Sequence, residues 1–478
     1  MSLPPPVPAP LAEARRAAER QAQRLSAGMA AALGTVVAVV ATMAFVLLDY
    51  RFEQAWYRLV KVLIGVGVLA LIVMLPRFGL LVIPVVTPFL SWAPRVPIPG
   101  VNVLNVLLFT VFATWALRRV AAREPIVRRG RMGGLLLGIV GLAALSIVRG
   151  AAFPTGYHYE AIEAAWGLVR CAMTFAIYFL VLWMARGPRD RRHLTWAIVI
   201  GLMAESLITI AYGRNGRGGR AIGSFGQPNE LGGFLAMFTA FAVAQLPAAR
   251  RWWTKLLLLG TGVAGGLALV MTVSRGAVLA LVAALFYVGL RSSRLLTAVL
   301  LAVLLTSPLW APDYLKERMT GTQVTSESSD EVELEGSAQL RVDTWRAIMN
   351  VVSAHPLDGV GFSGLEAVLP DMGTAMGVEV KDTAHNTFLR FLGEMGVLGL
   401  ALFLLLLWRC WSLGHEAMRL AATPADRSLG LGLAAATLAL AVSCAFGDRF
   451  FSILISGNFW MACALANDLV IERREAAA

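Results

Sequence analysis

The sequence is poor in charged residues and in the side chains that usually build metal or redox sites. Only 15% of its 478 residues are charged, 58% are hydrophobic, and it holds four cysteines and five histidines. A soluble protein of this length needs a largely polar surface, so the composition excludes an ordinary soluble enzyme and predicts a membrane protein with several spans. The cysteines fall in or beside apolar runs without metal-ligand spacing, which predicts small core residues and no disulfides.

The N-terminus is proline-rich and then rich in arginine over residues 1–28. It is too long and too polar to be the charged region of a signal peptide. The apolar run at 29–48 is long enough to cross a bilayer. We therefore expect an uncleaved first membrane helix that follows a cytoplasmic segment.

Fourteen apolar runs have the length, or nearly the length, of a membrane span. The predicted spans are 29–48, 59–75, 79–92, 101–117, 133–148, 168–185, 194–212, 229–246, 252–273, 276–290, 295–309, 385–408, 429–446 and 450–470. The shortest run, 79–92, contains Pro84 and Pro88 and is predicted to be a broken or re-entrant segment.

The arginine-rich loops predict the orientation of these spans. With the N-terminus inside, alternation places every strongly basic short loop on the inner side, as the positive-inside rule requires. Both termini are then cytoplasmic. The predicted organisation is an N-terminal segment at 1–28, a bundle of eleven candidate helices at 29–309, an outer loop with short helices at 310–384, three further transmembrane helices at 385–470 and a tail at 471–478.

Some arginines fall on the predicted outer side, where arginine should be scarce. Arg217 and Arg220 lie in "GRNGRGGRAIGSFGQPNE", and Arg275 lies in "TVSRGAV". One interpretation is that such long side chains reach toward the lipid headgroups. Around Arg220 and Arg275, however, the small neighbouring residues let another molecule approach the guanidinium. We therefore favour an anionic ligand at these two residues.

The outer loop divides into two parts. Its first part is acidic and poor in apolar residues, which predicts a solvated stretch without the Asp-x-Asp triplet of a metal site. "SAQLRVDTWRAIMNVVSAHP" then has helical spacing and places Arg341 and Trp345 one turn apart on one face. The glycines of "HPLDGVGFSGL" let the backbone approach a neighbour closely.

His385 and Asn386 stand where this loop enters a membrane helix. The ordinary pKa of histidine, about 6.5, suits proton transfer near neutral pH. The alternative is a histidine that caps the helix or bonds to a loop carbonyl. Two further charged residues fall within the predicted spans. Glu205 is either hydrogen-bonded inside the bundle or lines a cavity. Arg390 is expected to pair with Glu394, one turn along the same helix.

Four ordered stretches resemble a known family. They are "RAIGSFGQPNELGGFLA", "SRGA", "RVDTWRAIMNVVSAHPLDGVGFSGL" and "AHNTFLRFLGEMGVLGL", and they fall within about residues 205–410. Together they resemble the O-antigen ligase and O-antigen polymerase superfamily of bacterial membrane glycosyltransferases. The resemblance implies a GT-C type fold and a periplasmic reaction on a glycan linked to undecaprenyl pyrophosphate.

The resemblance also implies site residues. Arg220, Arg275 and His385 match the family's essential arginines and histidine, and Arg341 matches a further recurrent position. With Arg217, Trp345 and Asn386, Arg341 forms the predicted substrate-binding set. Guanidinium groups bind phosphate oxygens bidentately, so they could meet the charge of a leaving pyrophosphate without a metal. A neutral histidine could take the proton of the attacking sugar hydroxyl.

The expected activity is a metal-independent, inverting glycan polymerase of the inner membrane that needs no cofactor. The alternatives are a ligase that uses lipid A core as acceptor and, from another class, a polysaccharide transporter or flippase. The expected partners are the lipid-linked donor, an acceptor glycan and membrane lipid. A chain-length regulator is a further candidate partner, and we expect no nucleic acid.

Overall fold

The structure of the protein is a computed structural model. It describes residues 55–93, 103–152, 159–216, 219–310, 323–325, 332–334 and 336–478. The predicted first span at 29–48, the segment at 1–28 and the candidate residue Arg217 lie outside the described residues.

Helices make up nearly all of the described chain. They are α1 Ala55–Met74, α2 Pro76–Val86, α3 Val103–Ala121, α4 Gly133–Ala152, α5 Ala161–Met184, α6 Gly187–Tyr212, α7 Pro228–Val243, α8 Trp252–Met271, α9 Arg275–Ser292, α10 Arg294–Trp310, α11 Gly336–Ala354, α12 Leu365–Met376, α13 Thr387–Leu420, α14 Pro424–Cys444 and α15 Ile453–Glu475. One antiparallel hairpin pairs β1 Gln323–Thr325 with β2 Val332–Leu334.

Ten of the described helices are long and apolar enough to cross a membrane, namely α3 to α9 and α13 to α15. The prediction of a helical protein with many spans is therefore confirmed. Three other predicted spans fall on α1, on α2 and on the 17-residue α10, which are outside these ten. The total of fourteen spans stays a prediction.

The proline-containing run at 79–92 is a broken helix. α2 ends at Val86 and the chain continues as a 3-10 turn, Thr87–Trp92. Pro84 lies inside α2, where its ring is incompatible with a regular helical hydrogen bond. Its own carbonyl accepts a hydrogen bond from the Asn458 amide at 2.9 Å, so α15 ties this break to the bundle.

Three helices form the centre of the bundle. Most of α7, α14 and α15 is buried among other helices, including polar residues of α15 such as Asn458 and Asp468. α14 packs against α13, α9 and α7, while α15 packs against α5. Here the rings of Phe175 and Trp460 meet edge to face, with centroids 5.0 Å apart.

The helices define two ends of the bundle. α6, α8 and α14 run toward the end where Met271 and Cys444 lie, and α7 returns from it. We call this the loop end, since α11 and α12 follow there between α10 and α13. We call the opposite end, where α6, α8 and α14 begin, the basic end.

A buried ion-pair network closes the basic end. The Arg191 guanidinium contacts Asp468 at 2.7 Å, Glu472 at 2.6 Å and Asp426 at 3.5 Å. Arg128 also pairs with Asp468. Because each buried carboxylate has a cationic partner, the network joins α6, α14 and α15 without leaving an unpaired buried charge among them.

The outer loop has a small core of its own. Apolar residues of α11 and α12, among them Ile348, Val351, Leu365 and Leu369, are buried together. Leu389 of α13 packs against this cluster. The helical part of the predicted loop is thus a folded layer that lies on the start of α13.

A kink in α13 joins this layer to the bundle. Gly396 has φ +67° and ψ −166° inside the helix. The kink leaves two carbonyl groups available: Gly393 accepts from the Val360 amide at 2.9 Å, and Glu394 accepts from the Gly361 amide at 3.0 Å. The glycine-rich turn of the loop therefore pairs with helix backbone, which is the close approach that its sequence predicts.

We expect Gly396→Ala to lower stability markedly. A Cβ at this position would lie 2.1 Å from the Leu357 carbonyl oxygen, and the backbone angles are almost confined to glycine, at a cost of about 1–3 kcal/mol for other residues. The measurement is the thermal unfolding midpoint of purified protein in detergent.

Gly138→Ala is the matched control. Gly138 lies in α4 with open space around its Cα, so alanine should leave the midpoint unchanged or raise it. If both alanine variants unfold at the midpoint of the wild-type protein, the kink is not a constraint on the fold.

Candidate active site

Arg220 and Arg275 flank one turn at the loop end. The Ala221 amide donates to the Met271 carbonyl at 2.8 Å, which attaches the loop after α6 to the end of α8. Arg220 Nε then donates to the Thr272 carbonyl at 2.8 Å. Arg275 follows three residues later, as the first residue of α9. The two arginines that the sequence pairs by motif are therefore neighbours of the same turn.

Asn229 orients Arg220 from a second direction. Its side-chain oxygen accepts from Arg220 Nη2 at 2.7 Å. Asn229 lies in the first turn of α7, within the same sequence motif as Arg220. Two acceptors, one in the turn after α8 and one in α7, thus fix the plane of this guanidinium. Asn229 is not among the residues predicted from the sequence.

Glu205 anchors the loop that carries Arg220. It is fully buried in α6, and its Oε1 accepts from the Ser224 amide at 3.0 Å. The Ser224 hydroxyl lies 2.5 Å from Oε2, and the Thr209 hydroxyl donates to Oε1 at 3.3 Å. Of the two sequence interpretations, the hydrogen-bonded one fits these contacts, and its consequence is a fixed loop four residues after Arg220.

His385 is held between the outer loop and α13. Its φ is +46°, a value that is uncommon for side-chain-bearing residues and recurs at functional positions. Trp345 Nε1 donates to the Ala384 carbonyl at 3.0 Å. Asn386 caps α13 by accepting from the Phe388 amide at 3.0 Å. The backbone on both sides of the imidazole is therefore fixed.

The surroundings of His385 favour its neutral form. Burial, together with the positive charges of Lys381, Arg341 and Arg449, lowers its pKa to about 4, and Asp382 offsets only part of this effect. The Thr383 hydroxyl lies 3.3 Å from Nε2. At neutral pH this imidazole is uncharged and can accept a proton.

Arg449 is the residue that sequence reasoning missed. It lies in the 445–452 loop between α14 and α15 and is buried, with only 8% of its surface exposed. Burial lowers the pKa of Arg449, while Glu230 and Asp448 oppose this effect. The available signal was an arginine in "GDRF" on the predicted outer side, the same criterion that selected Arg220 and Arg275.

The 445–452 loop contacts both groups of candidate residues. A Cβ at Gly276, beside Arg275, would lie 2.7 Å from Phe446 Cβ. The Thr387 hydroxyl, two residues after His385, donates to the Gly447 carbonyl at 2.8 Å. The loop therefore links the start of α9 to the start of α13.

The structure thus assembles the candidates in two neighbouring groups. Arg220 and Arg275 share one turn. In the second group, Trp345 and Asn386 fix the backbone on either side of His385, and the charge of Arg341 acts on its imidazole. Arg449 contributes to the field of both His385 and Arg341. The ensemble is a cationic region around one neutral imidazole, suited to an anionic ligand and a proton transfer.

A cleft opens beside this region. It has a volume of about 360 Å³, and its walls include Tyr159, Phe362, Phe451, Glu366 and Arg390. The predicted ion pair is present, with Arg390 Nε 3.0 Å from Glu394 Oε1. Arg390 also lies 4.6 Å above the Phe451 ring, two residues beyond Arg449. The cleft therefore shares the 445–452 loop with the cationic region.

The chain matches one family model, described as O-Antigen ligase, over residues 260–404. The match begins within α8 and ends within α13, so it includes Arg275, Arg341, Trp345 and His385. Arg220 and Arg449 lie outside it. A search of curated proteins found no match. The resemblance to the O-antigen ligase and polymerase superfamily is thereby confirmed, for a multi-pass helical membrane protein.

The pKa of His385 should be measurable by NMR of histidine-labelled protein, since the chain has only five histidines. We expect a transition well below the ordinary value of 6.5, near pH 4. Between these two values the unfolded chain binds more protons at this histidine than the folded chain does, so the contribution of His385 disfavours the folded state increasingly as the pH falls.

Lys381→Gln should move the His385 transition upward, because one of the charges that lower its pKa is removed. Lys255→Gln, which changes an exposed lysine at the basic end, should leave it in place. If His385 of the wild-type protein titrates near pH 6.5 and Lys381→Gln does not change this value, the electrostatic description is contradicted.

Proposed function

We propose that the protein is a glycosyltransferase of the periplasmic face of the bacterial inner membrane. It moves a glycan from undecaprenyl pyrophosphate onto an acceptor sugar hydroxyl, within a GT-C type bundle. The observation that carries the proposal is the cationic region around a neutral His385 at one end of a multi-span bundle. The family match over residues 260–404 supports the same reaction class.

The arginines would act on the leaving group. As the bond between the anomeric carbon and the pyrophosphate oxygen breaks, the electron pair and the growing negative charge stay on that oxygen. Arg220 and Arg275 would bind and stabilise it through charge-assisted hydrogen bonds. Arg341 and Arg449 would extend this field. The carbonyl of Thr272 and the amide of Asn229 already direct Arg220, which lowers the cost of orienting it during the reaction.

His385 would act on the incoming group. A sugar hydroxyl is a poor nucleophile, and removal of its proton by a positioned base typically contributes about 100- to 10,000-fold. The oxygen of the acceptor forms the new bond to the anomeric carbon, and its proton passes to the imidazole. Attack from the face opposite the pyrophosphate inverts the anomeric centre. The proton on His385 is then released to solvent.

The donor would also adjust the strength of this base. A base is most effective when its pKa is near the working pH, and a value near 4 is too low. Lys381, Arg341 and Arg449 lower this value in the absence of an anion. Pyrophosphate would offset their charges and raise the pKa of His385, so the base would gain strength when the donor is bound.

The cleft lined by Tyr159, Phe362 and Phe451 is a candidate site for the acceptor glycan. Aromatic faces offer flat apolar contact, while Glu366 and Arg390 offer hydrogen-bonding groups. Trp345, Asn386 and Arg341 retain the predicted substrate-binding role beside His385. Arg217 belongs to this predicted set by sequence alone.

Polymerisation of repeat units is the first form of the proposal and ligation to lipid A core is the second. The predicted number of spans favours the polymerase. A transporter would use ionisable residues within its spans, and two such residues have structural partners here: Asp468 pairs with Arg191, and Glu205 accepts from the Ser224 amide. These contacts favour an enzyme.

The first test is glycan transfer by purified protein in detergent with a lipid-linked repeat unit as donor. His385→Ala should reduce the rate about 100- to 10,000-fold, and Arg220→Ala or Arg275→Ala about 100- to 1,000-fold, the range found for single groups that stabilise developing charge.

Product length on the carrier lipid, with and without lipid A core, separates the two forms: a ladder on the carrier indicates a polymerase, and transfer only to the core indicates a ligase.

Arg346→Ala is the matched control for the arginine variants. Arg346 neighbours Trp345 on α11, but its side chain is 64% exposed and pairs with Asp343 at 3.0 Å. It should retain the wild-type rate. Full activity of both His385→Ala and Arg275→Ala would refute the assigned roles, and a requirement for a membrane gradient would refute the enzyme.

The second test measures the His385 transition by NMR with and without inorganic pyrophosphate. The pKa should rise with pyrophosphate and stay in place with sodium chloride of the same ionic strength. His355, whose Nδ1 lies 3.2 Å from Arg149 Nη2, serves as the internal reference. An equal shift at both histidines would mean general screening and would contradict binding at His385.

A further inference from the structure

A second, larger cavity lies at the basic end of the bundle. Its volume is about 830 Å³, and it is enclosed by the first turns of α6, the chain between α7 and α8, and the first turns of α14. Since α6 has 26 residues and α8 has 20, the two ends of the bundle are about 30–39 Å apart along the helix axes, and the candidate active site lies at the opposite end from this cavity. This cavity therefore has no part in the proposed transfer reaction.

The lining carries a large excess of positive charge. Five arginines and one aspartate contribute to it. The aspartate, Asp426, and one of the arginines, Arg191, belong to the buried network of the basic end, where each has partners of opposite charge. The arginines outside that network are Arg189, Arg192, Arg250 and Arg251. Three of these, Arg192, Arg250 and Arg251, are exposed to solvent at the rim.

The depth of the cavity is apolar. Trp196, Val199, Leu258 and Leu429 line it, from α6, α8 and α14. A soluble anion such as phosphate would use the arginines but would leave these walls bare. An amphipathic molecule with an anionic head and hydrocarbon chains would satisfy both parts.

The surrounding surface has the composition of a membrane interface. Trp252 and Trp253 follow the rim arginines directly and are 73% and 49% exposed. Tryptophan is enriched at the level of lipid headgroups, where its ring contacts both phases. The Arg251 guanidinium lies 5.9 Å from the Trp253 ring centre. The rim is therefore at the depth where phospholipid phosphates lie.

We propose that this cavity is a binding site for an anionic phospholipid, with the phosphate at Arg192, Arg250 and Arg251 and an acyl chain against Trp196 and Leu258. Guanidinium groups bind phosphate oxygens in pairs, and basic pockets between membrane helices on the cytoplasmic side suit anionic headgroups. The basic loops predict that this end is cytoplasmic. The bound lipid bridges α6, α8 and α14, whose first turns leave the cavity between them.

The test is lipid retention by the full-length protein, measured by native mass spectrometry after titration with phosphatidylglycerol, with cardiolipin and with phosphatidylcholine. We expect retention of the two anionic lipids and at least tenfold weaker binding of phosphatidylcholine. The triple variant Arg192→Gln, Arg250→Gln, Arg251→Gln should lose at least tenfold in affinity for the anionic lipids.

The matched control is Arg291→Gln with Arg294→Gln. These arginines are also exposed at the basic end, Arg291 in the last turn of α9 and Arg294 at the start of α10, but they do not line the cavity. Their loss should change the affinity less than twofold. An equal loss in both variants would mean a general surface attraction and would overturn the proposal.

Two further measurements test whether the ligand is a lipid and whether it binds in this cavity. Inorganic phosphate that binds the wild-type protein as tightly as phosphatidylglycerol would assign the cavity to a soluble anion instead. If the triple variant does not fold, wild-type protein is treated with a photoreactive phosphatidylglycerol. Labelling of residues 248–258 is then expected, and labelling confined to residues 288–297 would overturn the assignment.

Discussion

The repulsion between like charges at the loop end is the constraint on which the candidate site depends. Arg341, Arg449 and Lys381 all act on one imidazole, and Asp382 is the carboxylate that opposes them there. A buried or half-buried guanidinium is expensive without a partner, so a fold retains several of them at one place only when other contacts hold them or an anion joins them. Here the Thr272 carbonyl and the Asn229 side chain hold Arg220, and the Trp345 bond to the Ala384 carbonyl holds the segment of His385.

The two ends of the bundle differ in how the charge of a buried arginine is balanced. At the basic end, Arg191 has three carboxylates within 3.5 Å, so its charge is matched inside the fold. His385 is largely buried and has more cations than acids around it, and both the burial and this excess lower its pKa. The first arrangement stabilises a junction of helices. The second leaves a field that a ligand can satisfy, which is why we propose the loop end as the site of chemistry and assign the network at Arg191 a structural role.

The sequence predicted the parts of this structure that local patterns encode. Apolar run length located the membrane helices from residue 59 onward. Motif order selected Arg220, Arg275, Arg341 and His385, whose roles stay predictions. It did not predict Arg449, because the value of that residue comes from burial beside Gly233 and Gly447, which are far apart along the chain. It could not predict the kink at Gly396 either, since the turn at 356–361 that uses its free carbonyls belongs to another segment. Long-range contacts decide both features.

The kink and the 445–452 loop together explain how a loop outside the bundle can complete a site within it. The pairing of Val360 with the Gly393 carbonyl fixes the outer layer to the beginning of α13, and the bond from Thr387 to Gly447 fixes that beginning to the chain between α14 and α15. Movement of the outer layer would therefore change the position of His385 relative to Arg449 before it moved Arg220 and Arg275 at the turn after α8. A donor bound by the cations and an acceptor that enters beside the outer layer would meet at the imidazole of His385. This residue stands between the two contacts that attach the outer layer and the 445–452 loop to α13.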